Sequence, residues 1–304
     1  MSTKIEIAEL MEKNGTMYDW AEKVNRGASL TAEENEISQV VDAWAKEIGT
    51  KGKDNDNEIA EFIIKTITDP VYNKPDALIE KMFEMDSIGE FDDYVINKTP
   101  KNTLVAYESA KGGNVYKSYI DTSALTPTWK HAQVETEISY TQLRRGGFKS
   151  IANMAVFAKE ALDNKKIKDV FSALDTAIAG GEQVFAVTGG ESALTKTVLD
   201  KLSLYVLDHL ADGDTGIMFG LNKYAQAIAN MSGARKAADG ELLIPDRRIF
   251  GISGIIGTLC DRGELRVYET LDNNKERVSL KFTGYEYGIK ITNPENVAKI
   301  TFTA

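Results

Sequence analysis

The sequence predicts an α+β fold, on three observations. The first ninety residues carry helical periodicity. A polar, alternating stretch follows from Asn102. A long apolar stripe at helical spacing then begins at Phe148 and gives way to strands.

The N-terminal third opens polar and acidic from Met1 to Leu10, unlike a secretory leader. Thr31 and Glu34 match a capping box. After them Ile37, Val40, Val41, Trp44 and Ile48 recur at helical spacing until Gly49. Ile59, Phe62, Ile63 and Ile67 mark a second helix. Pro75 can open a third, with Leu78, Met82 and Phe83 on its apolar face. Short separated helices cannot bury Trp44, Ile63 and Phe83 alone, so these three are candidates for contact with another copy. Two placements fit the region: a helical layer on the main domain, or an arm reaching a neighbour's long helix.

Charge separates this third from the rest. Residues 1–100 hold 11 Lys+Arg against 22 Asp+Glu, whereas residues 101–304 hold 25 against 24. The formal net charge of −10 therefore lies almost wholly in the first hundred residues. A net acidic chain is poorly suited to holding nucleic acid through its phosphates. A protein that must enclose DNA without adhering to it would tolerate this balance.

From Asn102 the pattern changes. Thr103–Ser109 and Val115–Asp121 alternate as strands around Ala110–Asn114, a turn composition. Thr122–Pro127 reads as a second turn and Thr128–Tyr140 as another strand. The excursion carries Lys111, Lys117 and Lys130, which we expect to meet acidic surface on an adjacent subunit. Arg144-Arg145-Gly146-Gly147 closes it, and Arg144 and Arg145 are expected to pair with a neighbour's carboxylates.

Phe148, Ile151, Ala155, Ala158 and Leu162 then form a stripe that resumes at Ile167, Val170, Phe171, Leu174 and Ile178. Either one helix spans Phe148 to Ala179, or two helices join at Asp163–Lys166. Further on, Ser192–Leu210 reads as a helix, Ile217–Gly220 as a strand and Asn222–Met231 as a helix. Ile249–Leu259 reads as one buried strand. Glu264–Glu269, Val278–Phe282, Tyr285–Thr292 and Lys299–Thr303 read as the closing strands.

Chemistry-bearing patterns are sparse. The one cysteine, Cys260, excludes an internal disulfide framework and a cysteine-based zinc site. Neither a nucleophile elbow nor a phosphate-loop lysine motif occurs. Gly251, Gly254 and Gly257 have the wrong spacing for a dinucleotide fingerprint; glycines in a buried strand permit close backbone approach. Asp54, Asp56 and Glu58 depart from a calcium loop at Ile59 and Lys65. We expect no cofactor, no metal and no catalytic residue. No apolar run is long enough for a membrane span.

The segment Val134-Glu-Thr-Glu-Ile-Ser-Tyr-Thr-Gln-Leu-Arg-Arg-Gly-Gly-Phe148, leading into the long helix, resembles tailed-phage major capsid proteins of the Hong Kong 97 type. The ending Tyr285-Glu-Tyr-Gly-Ile-Lys-Ile-Thr-Asn-Pro-Glu-Asn-Val-Ala-Lys299 resembles their closing strand. The resemblance covers about Asn102 to Ala304. Residues 1–101 depart from that family pattern and are expected, on their own apolar stripes, to form an acidic helical N-terminal arm; the resemblance implies an extended loop over 102–136. A peripheral domain with its spine helix would occupy 137–188 and 260–304, and an axial domain 189–259. It also implies hexamers and pentamers of the chain itself closing into an icosahedral shell around DNA, with portal, scaffold and decoration proteins as further partners. The place implied is the virion, after synthesis in the bacterial cytoplasm. An encapsulin-type compartment shell shares these features, and a soluble enzyme of another type is the remaining alternative.

Overall fold

The computed structural model describes residues 23–24, 26–47, 79–97, 124–210, 215–230, 235–236, 243–263, 266–272 and 276–303. Helix α1, Ala32–Glu47, begins as its capping box predicts. The Glu34 N–H donates to Thr31 Oγ1 at 3.2 Å, and the Thr31 N–H donates to Glu34 Oε2 at 2.7 Å. Ile37 and Val41 are buried on one face. That face packs on the long central helix of the same subunit.

Next come β1 (Phe83–Ile88), β2 (Ile96–Asn97), β3 (Ala124–Leu125) and β4 (Thr128–Ser139). Phe83 therefore opens a strand and not the face of a helix. It is 1% exposed in the subunit's own core, so it is not a surface contact for a neighbour. Met82, just before the strand, is buried as well, whereas Glu84, Asp86 and Ser87 of β1 are exposed.

Helix α2, Tyr140–Ala177, has 38 residues and a length of roughly 57 Å. It starts eight residues before Phe148, so Arg144, Arg145, Gly146 and Gly147 lie within it and do not close the β region. The start signal is a second capping box. Ser139 Oγ accepts from the Gln142 N–H, and Gln142 Oε1 accepts from the Ser139 N–H. Two internal glycines cost about 1 kcal/mol each relative to alanine, a cost that a capped, packed helix absorbs. Nor is there a joint at Asp163–Lys166. Lys159 pairs with Asp163 at 2.7 Å and Lys165 with Asp169 at 2.5 Å, both one turn apart, and these bonds carry the helix through its polar stretch.

The remaining elements are β5 (Val184–Thr188), α3 (Lys196–Asp208), β6 (Ile217–Gly220), α4 (Ala225–Ala229), β7 (Arg235–Lys236) and β8 (Arg248–Ile252). They are followed by β9 (Gly257–Arg262), β10 (Arg266–Asp272), β11 (Arg277–Ile291) and β12 (Val297–Thr303). The expected strand Ile249–Leu259 is thus two strands, and they belong to different sheets.

The first sheet has order β1-β9-β11-β10, with β4 on the other side of β11. The second has order β5-β12-β8-β6-β7. The closing strand β12, expected beside the spine in the peripheral unit, lies inside this second sheet between β5 and β8. Its Val297, Ala298 and Ile300 are fully buried, and an apolar run of this kind suits an interior strand. Strand β11 joins the two stretches read separately around Val278 and Tyr285; its register against β4 shifts between Phe282 and Tyr285.

One core runs through the molecule. Leu162, Ile167, Val170, Phe171, Leu174 and Ile178 of the α2 region are buried between the sheets and the helices. The Phe171 ring lies 5.6 Å from those of Phe219 in β6 and Phe250 in β8. Among the described residues, no helix is long and apolar enough to cross a membrane.

Candidate functional site

The C-terminal half of α2 fastens both sheets through charged side chains. Asp169 accepts from the Tyr287 hydroxyl of β11 at 2.6 Å and from Lys165 at 2.5 Å. Lys130 Nζ of β4 stands 3.1 Å from the other carboxylate oxygen. Lys130 and Tyr287 face each other in the β4–β11 register, which is why both reach the same carboxylate. Three residues earlier, Lys166 is buried and holds Asp261 of β9 at 2.8 and 3.0 Å.

The second sheet is held the same way. Asp175 pairs with Lys299 of β12 at 2.5 Å and with Arg248 of β8 at 3.0 Å. Lys299 Nζ also donates to the Asp175 carbonyl at 2.8 Å. Burial raises the carboxyls of Asp169 and Asp175, but Lys165, Tyr287 and Lys130 outweigh it at the first and Lys299 and Arg248 at the second, and both lie below the ordinary aspartate value. Burial, then the Asp169 charge, pushes the Tyr287 phenol upward. Burial likewise pushes the Cys260 thiol up to about 12, so it stays protonated.

The N-terminal half of α2 is arranged differently. It leaves a groove of about 610 Å³ against β4. Val134, Ile138, Met154 and Phe157 make its apolar lining, and Arg145 and Asn153 add polar groups. Phe157 is 55% exposed there. The Oδ1 of Asn153 is buried without a hydrogen-bond partner among the described residues.

The residues singled out in the sequence fall in several places. Lys130 is engaged by Asp169 of its own subunit, because pairing of β4 with β11 carries it over α2. Arg144 and Arg145 lie on the exposed first turns of α2, with Arg145 at the groove. Trp44 belongs to α1. Lys111, Lys117 and Ile63 lie outside the described residues. The clamp residues Asp169, Asp175, Lys166 and Lys299 escaped sequence reasoning. Their only local signal was charge within an otherwise apolar pattern, as in Val297-Ala-Lys-Ile300.

A central helix flanked by two sheets, each fastened to it, together with a long strand feeding its start, matches solved shell proteins. The capsid of an empty GTA particle aligns with 75% of this chain and 90% of its own, at 14% identity and a TM-score of 0.54. The capsid of Cyanophage P-SCSP1u aligns with 77% of this chain and 93% of its own, at 9% identity and a TM-score of 0.54. This chain has the Hong Kong 97-type capsid fold. A virus-like particle from Pyrococcus furiosus shares it over 82% of this chain and 100% of its own, at 13% identity and a TM-score of 0.51. No protein-family model and no curated protein matches the sequence. Within this fold α2 is the spine helix, and the clamps at Asp169 and Asp175 join it to the two sheets.

Proposed function

We propose that this chain is the major capsid protein of a tailed bacteriophage, assembling with itself into hexamers and pentamers of an icosahedral shell around DNA. The observation that carries the reading is the likeness of fold to capsid subunits along 90% or more of their own length. The role is structural, without catalysis. The first sheet with the spine helix forms the peripheral domain, and the second sheet forms the axial domain. Lys111 and Lys117 meet a neighbouring subunit, portal and scaffold proteins join at assembly, and decoration proteins bind the finished shell. The chain is made in the bacterial cytoplasm and ends in the virion.

Electron microscopy of the purified chain tests this directly. Closed shells of uniform size are expected. A chain that stays monomeric by light scattering across protein and salt concentrations, with and without a scaffold partner, would overturn the proposal. Particles taken from producing cells separate phage from compartment: nuclease-resistant DNA inside is expected, and a co-purifying cargo enzyme in place of DNA would identify a compartment shell.

A further inference from the structure

The loop after β1 carries the most exposed large apolar side chain among the described residues. Phe91 is 89% exposed, between Glu90 and the acidic pair Asp92 and Asp93. The loop is built to hold it there. The Gly89 N–H donates to Asp92 Oδ2 at 3.1 Å, the Arg262 guanidinium donates to the Glu90 carbonyl at 2.8 Å, and Arg266 pairs with the Glu90 carboxylate. Phe91 is therefore a presented knob and not a loose side chain.

A matching hole lies on the far side of the same sheet. Glu286 of β11 has Arg262 of β9 on one side and His131 of β4 on the other, and Ile88 of β1 lies beyond Arg262. So β1, which leads into the Phe91 loop, forms one edge, and β4, which walls the groove, forms the opposite edge. The groove has apolar walls, an exposed aromatic in Phe157, and the unmet acceptor of Asn153. Its basic rim residue is Arg145, with Lys149 exposed on the next turn. Its acids are already engaged: Ser279 donates to Glu135 at 2.7 Å, and Arg277 pairs with Glu137 at 2.9 Å.

We infer that the Phe91 loop of one copy seats in the β4–α2 groove of the next. Phe91 enters against Met154 and Phe157, Asp92 and Asp93 meet Arg145 and Lys149, and a loop N–H reaches Asn153. Knob and hole on opposite edges make a heterologous contact, which closes into a ring when the rotation per copy allows. The inference rests on the shell reading and names one contact within it.

Phe91→Ser should leave the subunit's melting temperature unchanged, because the side chain is solvent-exposed in the lone subunit. Shell yield at matched concentration should fall by roughly tenfold or more, the loss of one buried aromatic contact. A second measurement keeps Phe91, Met154 and Phe157 in place and replaces one charged pair at the rim. Asp93→Cys and Arg145→Cys are placed in one chain, shells are formed, and a short bis-maleimide is added; the native Cys260 is buried. A ladder of covalent oligomers on a denaturing gel is expected from the double variant and from neither single variant. Shells of the double variant that run as monomer, cross-linking by a single variant, or full shell yield from Phe91→Ser would overturn the contact and leave the shell reading intact. A wild-type chain that forms no shell overturns the shell reading itself and the contact with it.

Discussion

The Tyr287 hydroxyl donates to Asp169 Oδ2 across 2.6 Å inside the subunit, joining the longest strand to the spine helix. Tyr287 is fully buried, so its phenol has no access to solvent as a substitute partner. Tyr287→Phe removes one hydrogen bond to a charged acceptor and should cost about 1.5–3 kcal/mol. Asp169→Ala should cost more, because it strands the phenol and leaves Lys130 and Lys165 without their shared carboxylate. Chemical denaturation of the unassembled subunit measures both, and equal losses would show that the lysines contribute nothing.

Lys130 belongs to that same cluster, which divides the three excursion lysines into two kinds. Lys130→Glu places a carboxylate against Asp169, so it should lower subunit stability before assembly begins. Reversal of Lys111 and Lys117 together should leave the subunit's melting temperature unchanged and reduce shell yield. Calorimetry of the subunit, paired with light scattering of assembly, separates the two effects. A stable Lys130→Glu subunit would count against the Asp169 pairing.

Asp175 should show the largest loss among the clamps. Lys299 is 4% exposed, and the Asp175 carboxylate is the counter-charge of its ammonium; an alanine there keeps the carbonyl that Lys299 also donates to but removes that charge. Removing one partner of a buried pair costs about 3–5 kcal/mol, so Asp175→Ala should destabilise the subunit or prevent its folding. Lys299→Met added to Asp175→Ala removes the stranded charge and should recover much of that loss. A double variant no more stable than Asp175→Ala would show that the charge is not the source of the cost.

Acid should release both clamps. Asp169 and Asp175 each have a folded value below the ordinary aspartate value. Such a group contributes stability that is fully present above the unfolded value of about 3.9 and is lost as pH falls through the lower folded value. Subunit stability should therefore decline below about pH 4. Asp169→Asn with Asp175→Asn should be less stable at neutral pH and flatter with acid. A double variant that keeps the full wild-type slope would assign the acid sensitivity to other carboxylates.

Legibility in the sequence followed the range of the interactions. Local signals read well: the Thr31–Glu34 box, the α2 stripe and the order of elements. The Ser139–Gln142 box is equally local, but the helix-disfavouring Gly146-Gly147 pair that follows it masks the helix start. Sheet membership was not legible. Nothing near Ser253 says that β8 and β9 part there, because the decision rests on Met82 and Asn296, whose carbonyls accept from the Ile256 and Ser253 N–H groups. The same holds for Phe83, whose helix-like spacing with Leu78 and Met82 was overridden by parallel pairing with Gly257, far along the chain. The groove needed β4 and α2 in space, so only its Arg145 was visible beforehand.

The three spaced glycines of that parted run differ sharply in what they permit. A Cβ on Gly257 would stand 2.1 Å from the Lys290 carbonyl oxygen and 3.0 Å from the Ile291 Cα, both backbone atoms of β11. On Gly254 it would meet nothing closer than Asn296 Nδ2 at 3.6 Å. Gly257→Ala must part β9 from β11 and should cost roughly 1–3 kcal/mol or more. Gly254→Ala should be near neutral. Denaturation midpoints that fail to separate the two would mean that β9 and β11 are not held at this spacing.

Helix α1 lies on the spine helix of its own subunit, so the apolar faces of Ile37 and Val41 are already covered before assembly. Val41→Asp puts a carboxylate where only 1% of the side chain meets solvent. Burial of an unpaired charge is costly enough to expel the group, so α1 should leave α2 while the two sheets, fastened by the clamps, remain. Limited proteolysis reads this out. Cleavage after Lys23 and Arg26 should speed up in the variant, since Lys23 is held by Glu34 at 2.5 Å only while α1 is in place. Far-UV circular dichroism should lose about one helix and no strand. Cooperative collapse of the whole subunit would instead show that α1 is part of the core. Unchanged proteolysis would show that α1 is held by contacts other than its Ile37 and Val41 face.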